Sequence, residues 1–213
     1  MKNVLTNGIV IRWTLLTMLG LAAGIITGVL LDRPIEAIVG MMVVTPIVTC
    51  VAGAILGTSQ WLQLRSLPGN TKFWILATCI GIGIGLVLGV VTVENVGRLL
   101  AGHRPNLFRL GVAERALSFA VLGLITGLSV GAFQWLIVLR KRFQSRKWIV
   151  ISAVSLSVAF SLSSLIVDAI GGGISHPTGG ITFVLLAGLL FGLGTARPIL
   201  HHAWALGSIA GEP

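Results

Sequence analysis

The chain has 213 residues, of which 55% are hydrophobic and 10% charged, and its mean hydropathy is +0.99. A soluble domain carries about a quarter charged residues, so this composition excludes an ordinary soluble protein and indicates an integral membrane protein. The net charge of +9 would suggest nucleic-acid binding on a soluble surface, but here it reports first on orientation in the bilayer, and no nucleic-acid partner is expected.

Six apolar stretches are long enough to cross a bilayer as helices, and none alternates as a strand would. The predicted helices cover residues 13–31, 38–56, 73–91, 116–139, 148–167 and 181–200. A cleaved signal peptide is the alternative for the first, because Lys2 and Arg12 precede it, but its 19 uncharged residues are too many and no clear cleavage site follows. The sequence predicts an all-α polytopic membrane protein with one domain, residues 1–213.

The distribution of positive charge predicts the orientation. If the six helices cross in turn, ten of the fifteen Lys and Arg residues share a side with the N-terminus, and five of the six acids lie opposite. The ten are Lys2, Arg12, Arg65, Lys72, Arg140, Lys141, Arg142, Arg146, Lys147 and Arg197. Because cytoplasmic segments are enriched in Lys and Arg, both termini are predicted in the cytoplasm of a bacterial inner membrane, either cytoplasmic or thylakoid.

All six tryptophans fall at the ends of predicted helices on this same side. They are Trp13, Trp61, Trp74, Trp135, Trp148 and Trp204. An amphipathic indole is favoured where lipid meets water. The six are therefore predicted to anchor the helices at the cytoplasmic interface.

An internal repeat organises the chain. Three pairs lie 74 residues apart: Gln60 and Gln134, Trp61 and Trp135, Trp74 and Trp148. The first helix aligns on the third at a constant shift of 61, and the even helices share Gly-x3-Gly-x2-Gln, with Thr195 replacing Gln in the last. The sequence predicts three helical hairpins, at about 12–65, 73–142 and 147–204, related by an axis along the membrane normal.

Glycines recur four residues apart in several predicted helices. They include Gly20, Gly24, Gly28, Gly81, Gly85, Gly89, Gly123, Gly127 and Gly131. Lipid supplies little hydrophobic drive for helix pairing, so helices associate through the close backbone contact that small residues permit. These glycines are expected to face neighbouring helices, and a glycine-lined substrate path is the alternative.

The two glutamines and the cations beside them form the candidate site for a lipid headgroup or a protein partner. Its members are Gln60, Arg65, Gln134, Arg140, Lys141 and Arg142. An amide near the interface can bind an anionic headgroup together with arginine, or it can hydrogen-bond to another helix as structural support. The spacing does not decide between the two.

Residues able to carry catalysis or bind a cofactor are sparse. No predicted span has a charged residue near its centre, which weighs against proton-coupled transport, and no catalytic motif occurs, so no enzyme is predicted. Adjacent histidines point to different faces of a helix, so His201 and His202 are a poor metal-binding pair. They remain weak candidates for axial ligation of haem or chlorophyll, and no metal is predicted.

The phrase Gly-x2-Gln-Trp-Leu-x-Leu-Arg, a short basic turn and Trp-x-Leu-Ala-x2-Ile-Gly resembles a family of uncharacterised multi-pass bacterial proteins, especially of cyanobacteria and other phototrophs. The matching residues are Gln60, Trp61, Leu64, Arg65, Trp74, Ala77 and Gly81, then Gln134, Trp135, Leu139, Arg140 and Trp148. The second copy has one additional residue before Arg140, and the last hairpin lacks Gln-Trp. The resemblance implies an architecture and no activity.

Two functions of different classes fit these observations. The leading hypothesis is a non-catalytic accessory, scaffolding or assembly subunit of a larger photosynthetic or respiratory membrane complex, with lipids and other transmembrane subunits as partners. The alternative is a small-solute transporter or channel, built from the three hairpins around a central path. Co-migration with a large complex would favour the first, and solute movement by the isolated protein would favour the second.

Overall fold

A computed structural model of the chain describes residues 2–39, 41–65, 71–101, 110–139, 146–171, 173–174 and 176–209. This part of the chain forms six α-helices and no strand: α1 (Lys2–Val39), α2 (Met41–Leu64), α3 (Phe73–Ala101), α4 (Val112–Gln134), α5 (Lys147–Ala169) and α6 (Pro177–Ile209). A π-helical turn, Trp135–Leu139, follows α4 directly. Each of these six helices contains a segment long and apolar enough to cross a membrane, so the predicted all-α multi-pass class is confirmed.

The helices extend beyond the predicted apolar stretches. α3 continues to Ala101 and includes Glu94 and Arg98, which the sequence placed in a connection. α2 continues to Leu64, so Gln60 lies inside the helix instead of after its end. Hydropathy locates the edge of the apolar core, whereas a helix satisfies its backbone hydrogen bonds internally and can continue past that edge.

The six helices close into a ring. Each helix packs against the next one in the chain, and α6 packs back against α1. The first and last helices are therefore neighbours, and every helix has two partners in the ring.

Glycines allow close approach between these neighbours. A Cβ atom added to Gly24 would lie 2.7 Å from the carbonyl oxygen of Ala52 in α2, and one added to Gly127 would lie 2.5 Å from that of Ser152 in α5. Cβ atoms do not approach backbone this closely, so any larger side chain would push the helices apart. The remaining predicted packing glycines also face a neighbouring helix: Gly20 and Gly28 face α2, Gly81, Gly85 and Gly89 face α4, and Gly123 and Gly131 face α5.

Two apolar clusters fill the ring, with buried polar side chains between them. The tryptophan end contains Trp13, Leu64, Trp74, Leu139, Trp148 and Ala196. The larger cluster includes Leu21, Leu56, Ile82, Val130, Leu156 and Phe191, and it extends to the phenylalanine end, defined by Phe119, Phe160 and Phe183. The polar layer between the clusters consists of Thr17, Gln60, Thr78, Gln134, Ser152 and Thr195. Its members lie one helical turn from the larger cluster, as Thr17 does from Leu21.

Candidate functional site

Gln60 joins three helices in the polar layer. The indole Nε1 of Trp74 in α3 donates to Gln60 Oε1 at 3.0 Å, and Gln60 Nε2 donates to the hydroxyl of Thr17 in α1 at 3.4 Å. Only 2% of the Gln60 surface is exposed. We call this arrangement of Thr17, Gln60 and Trp74 the first junction.

Gln134 makes the corresponding contacts between α3, α4 and α5. Trp148 Nε1 in α5 donates to Gln134 Oε1 at 2.9 Å, and Gln134 Nε2 donates to the hydroxyl of Thr78 in α3 at 2.9 Å. The Thr78 hydroxyl in turn donates to the carbonyl of Trp74 at 2.8 Å. This second junction is also buried, with Gln134 1% exposed.

The third junction uses threonine in place of glutamine. Trp13 Nε1 in α1 donates to the hydroxyl of Thr195 in α6 at 3.0 Å, and that hydroxyl donates to the carbonyl of Phe191 at 2.8 Å. Ser152 in α5 is the third member, at the position that Thr17 and Thr78 occupy after their own tryptophans. Among the described residues, the Ser152 hydroxyl has no hydrogen-bond partner.

Of the five tryptophans whose side chains the structure describes, three point into the ring. Trp13, Trp74 and Trp148 are 1%, 1% and 6% exposed, and the centroid of the Trp74 ring lies 6.3 Å from that of Trp13 and 5.9 Å from that of Trp148. Their indoles bind side chains of the polar layer, so these three do not meet lipid headgroups as interface anchors would. Their positions at the ends of the predicted spans indicated their depth in the membrane. Those positions did not indicate which face of the helix carries each tryptophan.

Two other tryptophans, Trp61 and Trp135, differ from these three. Trp61 and Trp135 are half-buried, and the guanidinium of Arg146 lies 5.7 Å from the centroid of the Trp135 ring. That distance is within the range of a cation–π interaction. Trp204 lies in α6, but its side chain is outside the described part of the structure.

Burial and hydrogen bonding limit what the polar layer can do chemically. All its members are neutral, and each glutamine uses its carbonyl and its amide group for bonds to other helices. Such bonds within a membrane contribute about 0.6 to 2 kcal/mol each. The amides therefore hold helices together, and they are not exposed to a headgroup or an external partner.

Arg65, the one predicted cation of this site that lies in the described part of the chain, is separate from the glutamines. Arg65 follows α2 and is exposed, whereas Gln60 faces the interior. Lys72 is also exposed at this end, with its amine 6.0 Å from the centroid of the Phe73 ring. The other predicted members, Arg140, Lys141 and Arg142, lie outside the described residues.

The structure gives no metal centre in its described part. No group of three or more His, Cys, Asp or Glu side chains there could hold a metal ion. His201 and His202 lie in α6, but their side chains fall outside the description, so axial ligation of a pigment stays a prediction.

An ion pair at the phenylalanine end was missed from the sequence. Arg115 Nη1 at the start of α4 lies 2.7 Å from Asp168 Oδ1 at the end of α5, and both side chains are largely buried. Arg115 Nη2 also donates to the carbonyl of Leu110 at 2.8 Å. The available signal was opposite charge at adjacent ends of two consecutive spans predicted to share a side.

Comparison with known proteins adds no relative from which to infer a function. No protein-family model, curated protein or solved structure matches the chain. The contacts of the polar layer, the exposed cations and the ion pair are the observations from which a function can be assigned.

Proposed function

We propose that the chain is a non-catalytic integral membrane protein that acts as an accessory, scaffolding or assembly subunit of a larger photosynthetic or respiratory membrane complex. One observation carries this proposal: Gln60 and Gln134, the polar side chains best suited to bind something, bind other helices of the same chain. A bundle whose internal amides are used for its own cohesion has its outer surface available for partners.

The contents of the ring support a scaffold more than a transporter. The polar layer is one side chain deep, and packed aromatic and aliphatic side chains lie on both sides of it. A solute path would have to pass between Trp13, Trp74 and Trp148, whose rings are in mutual contact through Trp74. This packing favours the scaffold.

The proposed architecture is three repeated hairpins around a pseudo-threefold axis. The agreement between the three junctions supports it. In each junction a tryptophan donates to a residue of the even-numbered helix that precedes it in the ring, where α6 precedes α1. The distances are 3.0 Å for Trp74, 2.9 Å for Trp148 and 3.0 Å for Trp13. The separation is 14 residues from Gln60 to Trp74 and again from Gln134 to Trp148. We place both termini in the cytoplasm, on the strength of the charge distribution.

Lipid is the first expected partner of the outer surface. The outward residues are apolar, as in α5, where Val150, Val154 and Val158 are exposed at successive turns. The exposed cations Arg65 and Lys72 at the tryptophan end fit anionic headgroups. The resemblance to proteins of phototrophs supports a photosynthetic membrane as the setting.

Purification from native membranes tests the proposal. The full chain, tagged and produced at its natural level, would be extracted in a mild detergent and separated by native electrophoresis. We expect it to migrate with a complex much larger than itself, and to leave that complex in a harsher detergent that still keeps the chain folded.

The alternative has its own result in the same experiment. A chain that migrates alone or as a small oligomer, and that moves solute when reconstituted in liposomes, would overturn the scaffold and establish a transporter. Trp74→Ala is the matched variant for that outcome, because it removes the central ring of the tryptophan end and should raise the rate of any flux along the axis.

A further inference from the structure

The third junction lacks one carboxamide compared with the other two. Gln60 and Gln134 each reach a tryptophan with the amide oxygen and a threonine with the amide nitrogen. Thr195 binds Trp13 through its hydroxyl, but it has no amide nitrogen that could donate to Ser152. The Thr195 side chain therefore lacks the amide nitrogen that makes the second contact in the other two junctions.

Helix α6 does not move closer to α1 to compensate for the shorter side chain. Across the first junction, a Cβ added to Gly53 or Gly57 would lie 2.8 or 2.9 Å from a Cα atom of α3. Across the second, the corresponding distances from Gly127 and Gly131 to α5 are 2.7 and 2.9 Å. Across the third, those from Gly188 and Gly192 to α1 are also 2.7 and 2.9 Å. The spacing of α6 from α1 is thus kept, although the side chain of Thr195 is shorter than that of glutamine.

One polar group of this junction has no hydrogen-bond partner in the part of the chain that the structure describes. Ser152 is completely buried, and its hydroxyl finds no hydrogen-bond partner among the described residues. Its Cβ lies where that of Thr78 lies in the second junction, each 3.0 Å from a Cβ added to a glycine of the even helix before it. Thr78 there accepts a bond from the amide of Gln134. Ser152 is therefore placed to accept a bond from whatever occupies the amide position.

Thr195 can provide the other end of such a bridge. A hydroxyl has one donor and two acceptor positions. The Thr195 donor is used by the carbonyl of Phe191, and one acceptor position is used by Trp13. The second acceptor position is available for a further donor.

We propose that the third junction binds a water molecule that bridges Thr195 and Ser152, in the position held by the glutamine amide in the other two junctions. The water donates one hydrogen bond to Thr195 Oγ1, and it shares a second with Ser152, either by donating to Oγ or by accepting the proton of the Ser152 hydroxyl. Buried waters occur where otherwise unsatisfied polar groups converge in a space of about one molecule. The bridge links α5 to α6 within the third hairpin, as the amide nitrogen of Gln134 links α3 to α4.

A double-mutant cycle on the purified full chain tests this bridge. Ser152→Ala, Thr195→Val and the double variant would be compared with the parent by the midpoint of thermal unfolding in detergent. We expect Ser152→Ala to lower the midpoint in the parent and to have little further effect after Thr195→Val, because the water then has one partner fewer. An unchanged or raised midpoint for Ser152→Ala would overturn the proposal, and so would equal losses in both backgrounds.

A replacement variant gives a second, independent readout. Thr195→Gln should supply the missing amide, displace the water and raise the midpoint above that of Thr195→Met, which has a similar length without hydrogen-bonding groups. Equal midpoints for the two variants would contradict the proposal. In a density map that resolves ordered water, a peak between Thr195 and Ser152 in the parent and its loss in Thr195→Gln are the expected direct result.

Discussion

The tryptophan end and the phenylalanine end of the ring are built from different sets of helices. At the tryptophan end, the three aromatic side chains come from α1, α3 and α5, the first helix of each proposed hairpin. At the phenylalanine end, Phe119, Phe160 and Phe183 come from α4, α5 and α6, with ring centroids 4.9 to 6.5 Å apart. The first set draws equally on the whole chain, and the second only on its latter half.

The polar groups differ in the same way. The tryptophan end has neutral side chains joined across all three junctions, whereas the phenylalanine end has an ion pair that joins α4 to α5 alone. Removing the partner of a buried charge lowers the free energy of unfolding strongly. Removing the partner of a neutral hydrogen bond lowers it less. We infer that the proposed hairpin pattern is kept at the tryptophan end, where all three proposed hairpins contribute, and is absent from the phenylalanine end, where the contacts come from α4, α5 and α6.

Replacing a glycine at a contact between helices should destabilise the tryptophan end and the phenylalanine end together. A Cβ added to Gly85 would lie 2.7 Å from the Cα of Thr126, so Gly85→Leu requires α3 and α4 to separate. We expect a loss of more than about 3 kcal/mol, beyond ordinary overpacking, and disappearance of the folded peak in detergent size-exclusion chromatography. Gly8→Leu is the control, since nothing lies within 4 Å of the added atom. A folded Gly85→Leu protein would mean that α3 and α4 do not pack as described.

Removing one partner of the ion pair should weaken the phenylalanine end selectively. Asp168→Ala leaves the largely buried Arg115 without its counter-charge, and we expect the free energy of unfolding to fall by about 3 kcal/mol. The double change Arg115→Met with Asp168→Leu should recover part of the loss, because it removes both charges. Asp32→Asn, at an exposed position, is the control. Equal unfolding midpoints for Asp168→Ala and Asp32→Asn would show that the pair contributes nothing.

Removing an amide from the polar layer should have an intermediate effect. Gln60→Met keeps the length of the side chain but leaves Trp74 Nε1 buried without an acceptor, at a cost of about 1 to 3 kcal/mol. Denaturant titration in detergent measures the change. Thr58→Ala on the same helix removes an exposed hydroxyl bonded only to the carbonyl of Ala54, and it should change stability by less than about 0.5 kcal/mol. The reverse ranking of the two variants would contradict the assigned role of Gln60.

The exposed cations of the tryptophan end should affect lipid binding and leave the fold intact. Arg65→Ala and Lys72→Ala are expected to change the free energy of unfolding by less than about 0.5 kcal/mol each. Native mass spectrometry with anionic and zwitterionic lipids would show fewer anionic lipids retained by the variants. Undiminished retention would remove these two residues from the proposed lipid site.

The membrane class could be predicted because it depends on length and hydropathy alone. Six apolar stretches locate six helices, and the fold class follows from them without knowledge of the contacts between helices. The ends of the helices were harder to predict, because polar residues such as Glu94 and Arg98 are still helical. The closure of the ring by α6 against α1 depends on contacts that no local pattern contains.

Only part of the polar layer could be predicted from the sequence. Gln60 and Gln134 were identifiable as a pair, and hydrogen bonding across helices was one of two interpretations. Their partners could have been read from spacing: a hydroxyl follows Trp13, Trp74 and Trp148 by four residues, which places tryptophan and hydroxyl on one helix face. The ion pair of Arg115 with Asp168 joins residues 53 apart, and only the packing of α4 on α5 brings them together.

A double-mutant cycle at the second junction tests most directly the claim that the glutamines hold the chain's own helices together. Gln134→Met, Trp148→Phe and their combination would be compared by the free energy of unfolding in detergent, with Trp13→Phe replacing Trp148→Phe in a control cycle. We expect a coupling of about 0.6 to 1.7 kcal/mol between Gln134 and Trp148, and additivity between Gln134 and Trp13. Additivity in both cycles would show that the amide of Gln134 is not bound by Trp148 and would contradict the account.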